Sequence, residues 1–323
     1  MKMKKLSIYL IVLFLVPTFI FTGCKDDTTV DPSIEVLTKY LTANNKDLSD
    51  ILMYEGTTKF VMAPAAAADV APYYIMDIRS ASAFADGHID GAVNVAFGDI
   101  LTEATNAGDK NILVVCYTGQ TACYATALLR LYGYPKTKAL KWGMSGWNST
   151  TDSWTAKIGD EADGHANWTT AGAPANVKYD APTLTESGTD GEAILKARVE
   201  AVLAAGFKAE TGTNVLNSPA NYFINNYFSE ADYTGFGHVD GAYRVQPLTL
   251  ADDLIYNLDP SKTVITYCYT GQTSAVITAY LNVLGYNAKS MTFGMNGIYN
   301  SNPAWTSNKW SASVPKDFPL VTK

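Results

Sequence analysis

Histidine and cysteine are scarce in this 323-residue chain, with 3 and 4 copies respectively. His165 has no ligand-type neighbours at zinc-site spacing, and no other cluster fits zinc or iron, so no metal and no cofactor are expected. Four cysteines are too few for a disulfide scaffold in a chain of this length. Positive charge is also short: 24 Lys and Arg stand against 31 Asp and Glu, a formal net charge of −7, which makes nucleic acid and anionic surfaces poor partners. The longest apolar run, Leu6 to Phe21, is interrupted by Pro17 and falls short of the roughly 20 residues a spanning helix needs.

That run has another use. It follows the basic start Met1-Lys2-Met3-Lys4-Lys5 and precedes Thr22-Gly23-Cys24, the order of an export signal, here assigned to residues 1–23. The Thr-Gly-Cys ending resembles a bacterial lipobox, which implies cleavage before Cys24 and lipid attachment to it. Two or more acyl chains anchor stably where one binds only marginally. The expected location is therefore the bacterial cell envelope, outside the cytoplasm, with Cys24 as the membrane tether. Cleavage would remove Lys2, Lys4 and Lys5 and no acid, taking the formal charge from −7 to −10. Three cysteines would remain, an odd number that leaves at least one thiol unpaired.

The rest of the chain reads as two copies of one unit. Cys-Tyr-Thr-Gly-Gln-Thr occurs at Cys116 to Thr121 and again at Cys268 to Thr273. Gly87-His88-Ile89-Asp90-Gly91-Ala92 returns as Gly237-His238-Val239-Asp240-Gly241-Ala242, and Trp142-Gly143-Met144 returns as Phe293-Gly294-Met295, at offsets of 150 to 152 residues. A period that long fits two domains rather than a solenoid. The assigned spans are 32–178 for the first copy with its tail and linker, and 179–323 for the second. Strand-like Tyr74-Ile75-Met76, Val93-Asn94-Val95, Ile112 to Val115 and Ala139-Leu140 alternate with helix-like segments, so each copy is expected to be α/β, a mostly parallel sheet flanked by helices on both faces.

Two helix starts are legible: Pro32 after Asp31, with Ile34, Leu37 and Leu41 on one face, and a capping box of Thr189 and Glu192 before Ile194 and Leu195, stopping at Gly206. Trp154, Trp168, Trp305 and Trp310 are expected to pack down the segments after each repeat rather than bind ligand.

Each repeated cysteine follows an apolar strand and precedes a helix. A loop entering a helix gathers unpaired N–H groups, and the helix dipole adds partial positive charge there. Cysteines so placed can have pKa values of roughly 3.5 to 7.5, so Cys116 and Cys268 are expected to be ionised nucleophiles at neutral pH. Tyr117, Thr118, Gly119, Gln120 and Thr121, with Tyr269, Thr270, Gly271, Gln272 and Thr273, are the expected substrate-binding loops. Cys123 has Ala275 as its counterpart and is expected to be a small buried hydrophobe. Position six after each cysteine is Ala122 or Ser274, not the arginine that clamps phosphate in a Cys-x5-Arg phosphatase, which excludes that class.

These motifs together resemble the rhodanese (sulfurtransferase) superfamily. Asp77-Ile78-Arg79 is similar to its Asp-x-Arg signature, Gly87 to Ala92 to its Gly-His-Ile-x-Gly-Ala segment, Cys116 to Thr121 to its active-site loop, and Gly143 to Trp147 to its closing motif. The resemblance implies transfer of sulfane sulfur from a donor (thiosulfate, polysulfide or persulfide) to a thiol or other thiophilic acceptor through persulfides on Cys116 and Cys268. It implies supporting roles for Asp77 and Arg79 and a structural role for His88 and His238. The loops carry no Arg or Lys, which favours donors less charged than thiosulfate. In the second copy the Asp-x-Arg signature is read as Asn225-Asn226-Tyr227, with two extra residues before His238. The rival expectation is a non-catalytic, lipid-anchored module that binds an envelope protein partner in a redox assembly.

Overall fold

The computed structural model describes residues 32–322, so Cys24, Asp31 and the export segment lie outside the described residues. In the first copy, β1 (Val61–Met62), β2 (Tyr74–Asp77), β3 (Val93–Asn94), β4 (Ile112–Val115) and β5 (Lys138–Leu140) form a parallel sheet in the spatial order β1-β5-β4-β2-β3. In the second, β6 (Ala209–Glu210), β7 (Phe223–Asn226), β8 (Val264–Tyr267) and β9 (Ala288–Met291) are ordered β7-β8-β9-β6, again all parallel. The partner expected for β3 shrinks there to one parallel bridge between Asn225 and Tyr243. The α/β expectation holds in both copies.

Side chains alternate across these strands as pleating requires. Ile112 and Val114 face one core, whereas Leu113 and Val115 face another. The first of these cores is shared by both copies. It contains residues of α1 (Pro32–Ala43), α2 (Gln120–Tyr132), α3 (Gly191–Ala205) and α4 (Gln272–Val283), with Leu37, Leu128, Leu195 and Ile277 among its members. The two copies thus sit back to back on one helical layer, with α2 packed on α4 and α1 on α3. Asp47 ties them further. Its buried carboxylate accepts the N–H groups of Leu48, Leu250 and Ala251 at 2.7, 3.0 and 3.0 Å and the Tyr280 hydroxyl at 3.2 Å.

The outer faces are covered by exchanged tails. Gly159 and Ala162, just after the first repeat, donate to Asn296 and Ile298, and Trp168-Thr169 pairs antiparallel with His238-Val239. Reciprocally, Phe318 donates to Trp147 O at 2.9 Å, and Val321 bridges His88. Each copy is therefore closed by the segment that follows the other. Trp154, Trp305 and Trp310 are buried in packing these segments.

Three sequence readings shift. The cap of α3 is Asp190, whose carboxylate accepts Glu192 and Ala193 N–H at 3.0 and 3.2 Å, so Thr189 and Glu192 form no capping box. A carboxylate one residue nearer the helix reaches the N2 and N3 amides directly. The Asp-x-Arg counterpart is Asn226-Tyr227-Phe228, because Asp77 pairs with Val115 and Asn226 with Tyr267, each beside the cysteine of its own copy. With Ser80 and Ser229 capping equivalent helices, a single extra residue, Phe236, precedes Gly237 and His238.

Candidate active site

Gly119 (φ 85°) turns the chain from β4 into α2, and Gly271 (φ 74°) does the same from β8 into α4. In the first copy the Cys116 Sγ accepts N–H bonds from Gly119 at 3.1 Å and Ala122 at 3.3 Å. In the second, Cys268 Sγ accepts one from Ser274 N at 3.4 Å, and its thiol lies 3.7 Å from Ser274 Oγ, which also contacts Ser290 Oγ at 2.8 Å. The first cradle is the fuller one.

The third repeated motif holds these loops open on their amide side. Met144 N–H donates to Cys116 O at 2.8 Å, and Ser145 engages Tyr117 O through its N–H at 3.1 Å and its hydroxyl at 2.8 Å. Met295 and Asn296 repeat the arrangement on Cys268 O and Tyr269 O, with Asn296 Nδ2 donating at 2.8 Å. The Thr118 carbonyl takes the indole N–H of Trp154 and the Gln272 side-chain amide, both at 3.1 Å. With these carbonyls committed outward, the amides are left to face the sulfur. Gly143 (φ 61°) and Gly294 (φ 53°) lie where a Cβ would strike the cysteine carbonyl, so glycine is required at both. Ser145 and Asn296 escape a search for chemically reactive residues; their signal is the recurrence of Gly-Met after 151 residues, within one of the 152 that separate the cysteine loops.

Electrostatics correct one expectation. Both sulfurs are shut from solvent, with Cys116 3% and Cys268 2% exposed. Burial pushes the Cys116 thiol above its ordinary value, outweighing the lowering by the Ala122, Thr118 and Gly119 amides, and the nearby Asp77 carboxylate raises it further. The prediction of an ionised Cys116 at neutral pH therefore fails for this closed form: desolvation of the thiolate exceeds what the amides return. Cys123 is wholly buried in the shared core, its thiol also driven up by burial, and it forms no disulfide.

What closes the loops is the other copy. Gln272 reaches Thr118 O, and Gln120 Oε1 accepts the Phe293 N–H at 2.8 Å. Gln272 lies against Gly119 and Gln120 against Gly271. Thr118, Thr121 and Thr273 are half-buried and Thr270 is buried, whereas Tyr117 is 40% exposed. The Tyr117 hydroxyl contacts Ser80 Oγ at 3.0 Å. Tyr269 instead donates to Asp232 at 2.5 Å, and burial together with that carboxylate pushes its phenol up to about 12.

Asp77 and Arg79 form a buried ion pair at 2.7 Å, and Arg79 also donates to Gly87 O at 2.7 Å while lying over the Tyr117 ring at 5.8 Å. Both act as braces at the strand end. In the second copy Asn226 Oδ1 takes the Phe228 N–H at 2.8 Å, and the Phe228 ring stacks on Tyr269 at 4.6 Å, replacing charge by aromatic contact. His88 and His238 are structural. Each Nδ1 donates to a carbonyl, Phe84 O at 2.8 Å or Tyr233 O at 2.9 Å, and each ring stacks on that same residue. His165 bonds Asn217 and Asn167. Among the described residues no cluster of three or more His, Cys, Asp or Glu is placed to hold a metal, and no helix is long and apolar enough to cross a membrane.

A parallel α/β unit with a cysteine cradled by amides at the carboxyl end of a central strand, present twice, defines the class. The rhodanese-like domain model matches residues 59–150 and 228–301, together just over half of the chain. The chain belongs to the rhodanese-like family. It is 34% identical over 84 residues to the thiosulfate sulfurtransferase GlpE of Pseudomonas entomophila, covering 26% of this chain and 77% of that protein. It is 35% identical over 75 residues to GlpE of Shewanella oneidensis, covering 23% and 74%. Among solved structures, a thiosulfate sulfurtransferase from Pseudomonas aeruginosa aligns over 89% of this chain and 50% of its own, at 14% identity and a TM-score of 0.30.

Proposed function

We propose that this chain carries sulfane sulfur as a persulfide on Cys116, with Cys268 as a second and weaker carrier. The observation that carries the reading is the pair of N–H donors, Gly119 and Ala122, aimed at one sulfur at the start of a 13-residue helix. The Cys116 thiolate attacks the outer sulfur of the donor. A Cys S–S bond forms, the donor's S–S bond breaks, and the shortened donor leaves with the electron pair. The persulfide keeps the negative charge within the amide cradle. An acceptor thiolate then attacks the terminal sulfur, taking it into a new S–S bond and returning the Cys116 thiolate. Tyr117, Thr118, Gln120 and Thr121 offer no cation, so a small, singly charged persulfide suits the loop better than a dianion such as thiosulfate.

We propose that donors reach Cys116 when the two copies part at Gln120 and Gln272, which would also rehydrate the thiol and ease its ionisation. We further propose that lipid on Cys24 tethers the protein to a bacterial envelope membrane, where the acceptor is a small thiol or an envelope protein. Burial of both sulfurs favours the rival reading, a non-catalytic binding module. Turnover separates the two. The purified full chain, supplied with polysulfide or thiosulfate and a thiol acceptor, is expected to form acceptor persulfide at a rate that collapses in Cys116→Ser. No turnover with either donor would leave the binding module.

A further inference from the structure

A cavity of about 260 Å³ opens beside the cysteine loop, at the carboxyl ends of β1 and β5. Pro64, Lys141, Trp142, Trp147, Val314 and Lys316 line it, and no carboxylate does. That rim is where open parallel sheets hold ligands. The volume lies just below the roughly 300–1,000 Å³ of ordinary small-molecule sites, which restricts an occupant to metabolite size.

Its lining carries two lysines, Lys141 and Lys316, and neither forms an ion pair among the described residues, although the whole sequence carries −7. Lys141 Nζ sits 5.4 Å from the Trp142 ring centre and donates to Asn308 at 2.9 Å. Burial, and then the charge of Lys59, push its ammonium down, as befits a cation short of an anionic partner.

The fold does not demand this lysine. In the second copy Thr292 and Phe293 follow β9 where Lys141 and Trp142 follow β5, and Glu210 stands where the first copy has Met62. Glu210 there pairs with Lys289 at 3.0 Å. One scaffold thus builds a basic aromatic corner once and an acid-bearing corner once. The first is also shared between copies, since Val314 and Lys316 arrive on the exchanged C-terminal tail.

We infer that this cavity is a binding site for a small organic anion, a carboxylate or sulfonate on a flat apolar body, held by Lys141 and Lys316 against Trp142 and Trp147. The inference does not depend on sulfur transfer at Cys116. Phenylacetate is the probe, with phenylacetamide as its uncharged match and acetate as the charge without the ring. Titrated into the full chain and followed by tryptophan fluorescence and calorimetry, phenylacetate is expected to saturate, with the other two at least tenfold weaker. Lys141→Met is expected to weaken phenylacetate at least tenfold, Lys141→Arg to restore it, and Val314→Trp, which fills the cavity, to abolish it. Circular dichroism checks each variant's fold, and the three-ligand comparison on the unaltered chain needs no variant. Equal binding of acid and amide, no saturation by phenylacetate, or unchanged binding in Val314→Trp or in Lys141→Met would overturn the assignment.

Discussion

Gln272 of the second copy donates its side-chain amide to the carbonyl oxygen of Thr118 in the first, at 3.1 Å. Gln120 returns the contact by accepting the Phe293 N–H at 2.8 Å. Each loop is thus covered by the glutamine that begins the other copy's helix. Gln272→Ala removes one bond and the side chain lying on Gly119. The expected outcome is faster alkylation of Cys116 by iodoacetamide, with unfolding free energy lowered by about 1 kcal/mol, the worth of a single net hydrogen bond. An unchanged alkylation rate would show that access runs by another route.

The buried Asp77–Arg79 pair and its neutral counterpart Asn226/Phe228 set up a double-mutant cycle. Arg79→Phe alone strands a buried carboxylate and should cost roughly 3–5 kcal/mol of stability in urea unfolding. Asp77→Asn with Arg79→Phe reproduces what the second copy already tolerates and should recover most of that loss. A double variant as unstable as the single one would mean that Arg79 matters for its bond to Gly87 O rather than for charge balance.

Because burial raises the Cys116 thiol, its reactivity should climb with pH well past neutrality. In a Cys268→Ser, Cys123→Ser background the alkylation rate is expected to titrate above the free-thiol value of about 8.5. The sign for stability follows: a thiol whose folded pKa is raised contributes stability below the unfolded value and loses it as pH rises through the folded one. A plateau below pH 7 would contradict the desolvated, closed loop.

His238 titrates in the opposite sense. Burial holds its imidazole below the ordinary value of about 6.5, against the Tyr233 carbonyl and Asp240, which favour the charged form. Its contribution to stability is present above the unfolded pKa and fades as pH falls through the folded one. The melting temperature should therefore drop between neutral and mildly acidic pH, and His238→Asn should flatten that slope. A slope unchanged in the variant would place the acid sensitivity elsewhere.

Gly143→Ala puts a methyl group onto the Cys116 carbonyl at φ 61°. The left-handed backbone alone costs about 1–2 kcal/mol, and the contact must also displace the loop. Sulfur loading should fall more than stability does, read by comparing persulfide yield with urea unfolding in the same variant. Full loading would mean that the loop carbonyls need no clamp.

Much of this was legible because the chain states it twice. Repetition of the cysteine loop, of the Gly-His segment and of the Gly-Met motif marks two copies, and apolar runs such as Ile112 to Val115 mark parallel strands. The placement of Cys116 under Gly119 and Ala122 amides follows from a strand, a glycine and a helix in sequence. What was not legible is long-range. No local pattern says that Phe318 and Val321 return to the first copy while Ala162 and Trp168 cross to the second, since tail exchange preserves every local preference. Cys116 is buried within the core that both copies share, and that burial reverses the pKa direction a lone helix terminus suggests. The one-residue slip at Asn226 arises because adjacent asparagines leave the register to the pairing with Tyr267.

Sulfur transfer rests on the Cys116 amide cradle accepting and holding a sulfur atom. Incubation of the full chain with polysulfide, and separately with thiosulfate, followed by intact mass spectrometry and peptide mapping, tests it most directly. The first added sulfur atom is expected on the Cys116 peptide, with a smaller share on Cys268 and loss of the major addition in Cys116→Ser. No added sulfur from either donor, or undiminished addition in Cys116→Ser, would contradict it.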